Sequence, residues 1–319
     1  MNLIPERAYR IARALGFAGL LTATLSLAQQ APAHSSSGVP TINVNVHLID
    51  VFASVTDPSG APVGSLSRKD FALFENGKAQ KIAVFERDTS APIAVALAID
   101  TSGSVRKDLA EEQQAARHFV HATLRPQDRI DLLQFSDSVR EVSGFTSSER
   151  QIGNGIASLQ GGAGTAFYSG VLLASQLLRP QLGRRVLVVI SDGDNTVKGT
   201  SYAEALEEAV RDEVMIYSII EVPIEASAGR DLAGEHALIS LAEGTGGRYF
   251  YAASAPLEQI FRRISDDLRT QYLLGYYPAT TTEEDESFRS IAVKLQDVAD
   301  SAKYTVRHRP GYYPSGHAQ

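Results

Sequence analysis

Oxygen-bearing side chains occupy every second position of the segment Asp100-Thr-Ser-Gly-Ser104. Asp100, Ser102 and Ser104 offer one carboxylate and two hydroxyls. Gly103 allows a tight backbone turn, so these oxygens can face one point. Oxygen ligands without His or Cys suit Mg²⁺ or another hard cation. The same residue types are common in ordinary turns, so the pentapeptide alone is compatible with a metal site or with a simple turn.

Two further segments carry similar chemistry. The apolar run Val186–Ile190 leads into Ser191-Asp-Gly-Asp194, and the glycine-rich stretch 161–165 ends in Thr165 before a predicted helix. In a doubly wound sheet, the ends of adjacent parallel strands meet at the place where ligands bind. The three segments are therefore predicted to face one another.

This ordered pattern resembles the von Willebrand factor type A domain and its metal-ion-dependent adhesion site. All five positions of the pattern are present, as Asp100, Ser102, Ser104, Thr165 and Asp192. The resemblance implies that the three hydroxyls contact the cation directly or nearly so. The two carboxylates would act largely through bound water or as hydrogen-bond partners. Mg²⁺ is the expected ion, with Mn²⁺ or Ca²⁺ as alternatives, and a coordination position would remain for an Asp or Glu carboxylate of a partner protein.

The strands and helices that must position these residues are predicted between residues 91 and 270. The unbroken apolar run Ile93–Ile99 is typical of a strand that is buried on both faces of a parallel sheet. Strands are also expected at 130–135, 138–143 as an antiparallel edge, 186–190, 214–222 and 247–251, and helices at 109–124, 166–178, 202–212, 236–243 and 256–269. This alternation predicts an α/β, doubly wound Rossmann-like domain.

The segments on either side of this region have a different, period-two pattern. Residues 41–90 contain alternating apolar positions and a hairpin turn signal at Glu75-Asn-Gly-Lys78, and residues 271–319 contain three more candidate strands. We expect the two segments to pair into one β-sandwich-like domain that flanks the central domain. Two separate β pieces packed on the central sheet are the alternative.

The order of these features also resembles a group of exported bacterial proteins called VWFA-related, which is abundant in Acidobacteria. The resemblance includes Phe71–Gln80 before the metal motif, and Tyr272–Pro278 with Arg309–Tyr313 after it. It covers nearly all of the chain beyond the amino terminus. It implies an architecture more than a role.

The amino terminus has the composition of a secretory signal. Arg7, Arg10 and Arg13 precede an apolar run of roughly 15 residues that ends in small residues near Ala28. We therefore expect a signal peptide at 1–28, a flexible linker at 29–40, and a secreted or periplasmic mature protein without a membrane span. An uncleaved membrane anchor is the alternative.

The composition of the chain argues against one class of partner, the nucleic acids. The chain has 319 residues, a formal net charge of −7 and no basic block beyond the amino terminus, which argues against nucleic-acid binding. It has no cysteine, so stability must come from packing rather than disulfides.

Two function classes remain. The first is a non-enzymatic, metal-dependent protein-binding or adhesion module. The second is a Mg²⁺-dependent extracytoplasmic hydrolase, for example a phosphohydrolase with Asp100 as nucleophile. The binding module is favoured because the metal segments contain no Lys or Arg to clamp a phosphate and no general acid or base. Asp194 is expected to cap its loop or face solvent, Asp137 to be a turn residue, and His118 and His121 to lie on the surface.

Overall fold

A computed structural model of the chain describes residues 48–87, 91–103, 109–221, 232–278 and 287–314. These residues belong to one of the two units into which the chain divides, Asn45–Gln319. The predicted signal peptide, the linker, Ser104 and the acidic turn at 280–286 lie outside the described residues. Among the residues that are described, no helix combines the length and apolar character needed to cross a membrane.

The strands in chain order are β1 (Ile49–Thr56), β2 (Phe71–Glu75), β3 (Lys78–Gln80), β4 (Ile82–Arg87), β5 (Ile93–Asp100), β6 (Arg129–Phe135), β7 (Val139–Glu141), β8 (Arg184–Ser191), β9 (Val214–Ile220), β10 (Arg248–Tyr251), β11 (Tyr272–Tyr276), β12 (Arg289–Leu295), β13 (Thr305–His308) and β14 (Gly311–Tyr312). The α-helices are α1 (Leu109–Thr123), α2 (Glu149–Ala157), α3 (Phe167–Leu178), α4 (Tyr202–Arg211), α5 (Leu232–Gly244) and α6 (Leu257–Thr270).

The central sheet has six strands in the order β10-β9-β8-β5-β6-β7. Its strand pairs are parallel except that β7 runs antiparallel to β6 at the edge. Every residue of β5 is buried. Its alternate residues enter two different apolar clusters: Val95, Leu97 and Ile99 pack with side chains of α1 and α6, while Ala94, Ala96 and Ala98 pack with side chains of α3, α4 and α5. Helices therefore cover both faces, and the predicted doubly wound α/β fold is confirmed.

The flanking segments form two four-stranded antiparallel sheets, in the orders β13-β1-β11-β4 and β14-β12-β2-β3. Each sheet combines strands from before and after the central domain: β1 pairs with β11, and β2 pairs with β12. One apolar cluster takes side chains from both sheets, including Val51, Leu73, Tyr272 and Val293. The sandwich-like arrangement of the two flanks is therefore observed, whereas separate β pieces are not.

The structure adds elements that the sequence pattern did not indicate. Helix α2 is short, contains two glycines and buries only two apolar side chains, those of Ile152 and Ile156, so its sequence offers few apolar positions by which to identify it. Ser148 caps its amino terminus by accepting a hydrogen bond from the Gln151 N–H. Helix α5 begins at Leu232, four residues before the predicted start. The predicted boundaries at residues 28, 40, 90 and 270 stay predictions.

Candidate metal centre

The candidate metal centre lies at the carboxyl ends of β5 and β8. These two strands are parallel neighbours, with Ile99 opposite Ile190. The order of the sheet reverses between them, because the chain runs from β5 to β6 on one side and from β8 to β9 on the other. Such a switch point is where doubly wound sheets bind ligands. Asp100 ends β5, and Asp192 directly follows β8.

Asp100 is a fully buried carboxylate held by neighbouring donors. The Ser191 hydroxyl donates to Asp100 Oδ2 at 2.6 Å, and the Ser102 backbone N–H donates to Oδ1 at 2.8 Å. Burial raises the pKa of Asp100 to about 6, although hydrogen bonds from Ser191 and Ser102 oppose the rise. The negative charge of Asp192 adds to it, which indicates that the two carboxylates lie in one electrostatic neighbourhood.

The glycine-rich loop at 161–166 is tied to this end of the sheet by backbone contacts. The Gly162 N–H donates to the Thr101 carbonyl at 2.8 Å. The Asp137 carboxylate accepts from the N–H groups of Ala163 at 2.9 Å and Gly164 at 2.8 Å. These two hydrogen bonds lower the pKa of Asp137. Asp137 is thus more than a residue of the β6–β7 turn, because it fixes the path of the loop that carries Thr165.

Position 162 requires a glycine because a side chain there would collide with Ser136. A Cβ atom there would lie 2.4 Å from Ser136 Oγ and 2.5 Å from Ser136 Cβ, well inside van der Waals contact. The loop therefore approaches the turn after β6 more closely than a residue with a side chain would allow.

Thr165 is buried and connects the glycine-rich loop with the loop after β8. Its N–H donates a hydrogen bond to the Thr196 hydroxyl oxygen at 2.8 Å, and the Thr196 N–H donates to the Thr165 carbonyl at 3.0 Å. This reciprocal pair fixes Thr165 relative to the segment that begins at Asp192. The sequence did not indicate Thr196, since its contribution depends on the folding of two distant loops.

The loop after β8 is compact. The Asp194 N–H donates to Asp192 Oδ1 at 3.1 Å, and the Gly193 N–H donates to the Ser191 hydroxyl at 3.0 Å. Gly193 has a φ of +82°, and a Cβ there would lie 2.3 Å from the Gly234 carbonyl oxygen at the start of α5. Ser191 therefore joins the Asp100 carboxylate to the backbone of the loop that follows Asp192. The sequence pattern did not indicate this role.

The structure brings four of the five predicted residues onto loops that are bonded to one another: Asp100, Ser102, Thr165 and Asp192. The fifth, Ser104, is outside the described residues. The donor set consists of oxygens only, and within the described ranges neither Asp100 nor Asp192 forms an ion pair with a Lys or Arg. A buried carboxylate of raised pKa beside a second carboxylate is a pair that a hard cation would neutralise. The residues present therefore fit Mg²⁺.

Other groupings of potential ligands are not evident. In the part of the chain that the structure describes, no three His, Cys, Asp or Glu side chains come together in a way that could hold a metal ion. The side chains of His118 and His121 are 50% and 81% exposed and contact different carboxylates, those of Glu258 and Glu149 respectively. Both histidines are therefore surface residues, as predicted.

Comparison with known families gives one match within this region. Residues 95–195 match the family model of the von Willebrand factor type A domain. The matched segment runs from β5 through the loop after β8 and includes all five predicted ligand positions. It covers about a third of the chain. No curated protein matches the chain.

Three solved structures are similar to part of this chain at low sequence identity. An aerotolerance-related membrane protein from Bacteroides fragilis is 20% identical, covers 55% of this chain and 98% of its own, and has a TM-score of 0.45. BatB from Bacteroides thetaiotaomicron is also 20% identical, covers 56% and 100% respectively, and has a TM-score of 0.44. Proximal thread matrix protein 1 from the mussel byssus, whose metal-ion-dependent adhesion site is occupied by zinc, is 16% identical, covers 61% and 50%, and has a TM-score of 0.49.

Proposed function

We propose that this chain is an exported, non-enzymatic binding module that captures an acidic side chain of a partner protein in a metal-dependent manner. The observation that carries the proposal is the set of hydrogen bonds that joins three distant loops at the switch point between β5 and β8. The match of residues 95–195 to the type A domain supports the same assignment.

The residues of the chain have distinct roles in this proposal. The hydroxyls of Ser102, Ser104 and Thr165 would be the inner ligands of Mg²⁺, with Mn²⁺ or Ca²⁺ as alternatives, and Asp100 and Asp192 would act from the outer shell. When bound, the cation supplies an electrophilic position for one carboxylate oxygen. Neutral inner ligands preserve its positive charge, so the attraction for an Asp or Glu of the partner is strong and local.

The contacts of Asp100 suit an outer-shell role. Ser191 and Ser102 occupy both of its oxygens with hydrogen bonds, so the carboxylate orients its neighbours while contributing negative charge. The loop that carries Thr165 is held from two sides, by Asp137 and by Thr196. This support pre-organises the oxygens, which lowers the entropic cost of binding.

Calorimetric titration of the chelator-treated chain with MgCl₂, MnCl₂ and CaCl₂ tests the metal assignment. We expect one cation per chain, and at least a tenfold loss of affinity in Asp192→Asn and in Ser102→Ala. Asp266→Asn is the matched control, because it removes one carboxylate from an exposed position of α6. Equal affinities in all three variants would refute the site.

A pull-down from the envelope fraction of the source organism tests the binding role. The partner should be retained with Mg²⁺, released by chelator and not retained by Asp192→Asn, and its capture should require an acidic residue of the partner. Turnover of an aryl phosphate that needs Mg²⁺ and disappears in Asp100→Asn would instead identify a hydrolase.

A further inference from the structure

A cavity of about 280 Å³ lies at the opposite end of the central sheet from the candidate metal centre. The starts of β8 and β9 form one side of it, through Arg184 and Met215, and the flanking strands contribute Phe52 and Leu273. Val210 at the end of α4 and Arg309 complete the set of side chains that matter here. The walls are mainly apolar, and arginine is the commonest charged residue type among the lining residues.

Arg184 is a buried cation whose guanidinium forms only part of the hydrogen bonds that it could donate. It is only 3% exposed. Its Nη1 donates to the Leu268 carbonyl and, at 3.1 Å, to Gln271 Oε1. Among the described residues, its Nε and Nη2 have no hydrogen-bond partner. Arg184 Nη1 therefore caps the carboxyl end of α6 at Leu268. The hydrogen bonds of the described residues give no role to the other two nitrogens, Nε and Nη2.

The two unpartnered nitrogens are the pair that recognises carboxylates. Nε and Nη2 lie on the same edge of a planar guanidinium, where two parallel N–H groups match the two oxygens of a carboxylate. No carboxylate of the described residues forms an ion pair with Arg184, and burial, with the nearby Arg269 charge, lowers its pKa to about 10. A buried charge without a counter-ion is costly, so a bound anion would relieve this cost.

The remaining charges of the cavity leave an excess of one positive charge. The lining residues include three arginines, Arg184, Arg185 and Arg309, and two acids, Asp50 and Glu213. Arg309 Nη1 pairs with Glu213, and its Nη2 donates to the Asp50 carbonyl at 2.7 Å. Arg185 donates to the carbonyls of Gln181 at 3.1 Å and Asp212 at 3.0 Å. The single excess charge favours a monoanion over a phosphate or a dicarboxylate.

Both unpartnered nitrogens are enclosed by protein atoms in this structure, and Arg184 Cζ lies over the Phe52 ring, 5.6 Å from its centroid. We propose that this cavity binds a small monocarboxylate with an apolar body, and that the Arg184 side chain turns to present its Nε–Nη2 edge to the carboxylate. The body would pack among Phe52, Val210, Met215 and Leu273. The volume is sufficient, because an apolar cavity of about 150 Å³ already holds benzene. The site is independent of the proposed metal-dependent function.

Titration of the full chain with benzoate and hexanoate tests the proposal, with benzamide and hexanamide as uncharged counterparts. The titrations are run in chelator, so that a cation at the other end of the sheet makes no contribution. We expect saturable binding of at least one carboxylate, at least tenfold tighter than that of its amide. Arg184→Met should abolish this preference. Asp192→Asn should leave it unchanged.

A second variant protects the test against misfolding of Arg184→Met. Val210→Trp retains Arg184 and fills the cavity from α4, so it should weaken carboxylate binding at least tenfold. Absence of saturable binding to the native chain would overturn the proposal. Equal binding of carboxylate and amide, or undiminished binding in either cavity variant that folds, would overturn it as well.

Discussion

Strand β8 connects two polar regions of opposite character. It begins at Arg184, beside the cavity, and ends at Ser191, beside the candidate metal centre. At the carboxyl end, two carboxylates and several hydroxyls lie on tightly bonded loops, where we propose that a cation binds. At the amino end, a buried guanidinium keeps two nitrogens unpartnered among the described residues, and there we propose that an anion binds. The two proposed sites would thus lie at opposite strand ends of one parallel sheet.

The comparison is sharpest between two arginines, the buried Arg184 and the partly buried Arg307. Arg307 of β13 donates from one nitrogen to both oxygens of Asp267, at 3.0 and 3.1 Å, and the Tyr217 hydroxyl donates to the same carboxylate at 2.8 Å. Arg307→Met would leave Asp267 buried with its cation removed, so we expect the free energy of unfolding to fall by about 3–5 kcal/mol. Denaturant unfolding measures this loss.

Arg184→Met is the matched variant. It removes a guanidinium that has only uncharged partners, so relief of the buried charge should offset the loss of two hydrogen bonds. We expect its unfolding free energy to stay within about 1 kcal/mol of the native value. A loss as large as that of Arg307→Met would mean that Arg184 is structural and would remove the contrast between the two arginines.

At the carboxyl end of the sheet, one added methyl group should disrupt the packing of the glycine-rich loop against Ser136. The Cβ of Gly162→Ala would collide with Ser136, so we expect a loss of about 1–3 kcal/mol in unfolding free energy and at least a tenfold loss of Mg²⁺ affinity. Gly64→Ala is the control, since a Cβ there meets no atom within 4 Å. Unchanged metal affinity in a folded Gly162→Ala protein would show that the loop is not part of the site.

The two ends also differ in how far the sequence predicted them. The meeting of the candidate metal-binding loops was predictable because Asp100 and Asp192 come at the ends of apolar strands, and parallel strand ends must meet at one edge; the metal itself stays a prediction. Asp137 and Thr196 were missed as supports because they act on another loop through backbone N–H groups. Arg184 gave no signal, since it precedes an apolar run like any charged residue at a strand start. It is buried because β1, β11 and the end of α6 come from distant parts of the chain.

A buried carboxyl near the start of β6 allows a test by pH. Burial, and then the charge of Glu141, raise the pKa of Asp131 from an ordinary value near 3.8 to about 7. The folded state therefore binds more protons than the unfolded state between these values, so this group makes stability fall as the pH rises from about 4 to about 7. Asp131→Asn should remove this fall.

The expected gain of Asp131→Asn over the native chain is on the order of 4 kcal/mol at pH 8, since one pKa unit corresponds to about 1.4 kcal/mol, and below about 1 kcal/mol at pH 4. Urea unfolding at the two pH values measures it, and the difference should be the same with Mg²⁺ and with chelator, because β6 carries Asp131 away from its carboxyl end. A gain that is equal at both pH values would show that Asp131 does not titrate in this range.

The smallest expected effect concerns coupling between the two ends. Seven residue steps separate Arg184 from Ser191 along β8, a distance of roughly 23 Å at about 3.3 Å per residue. The Debye length at physiological ionic strength is only about 8 Å, and the intervening side chains are close-packed. We therefore expect Arg184→Met to change Mg²⁺ affinity less than twofold, and saturating benzoate to do the same in the native chain. Calorimetric titration of Mg²⁺ with and without benzoate measures both, and a shift of fivefold or more would mean that β8 transmits a change between its ends and that the two regions act as one device.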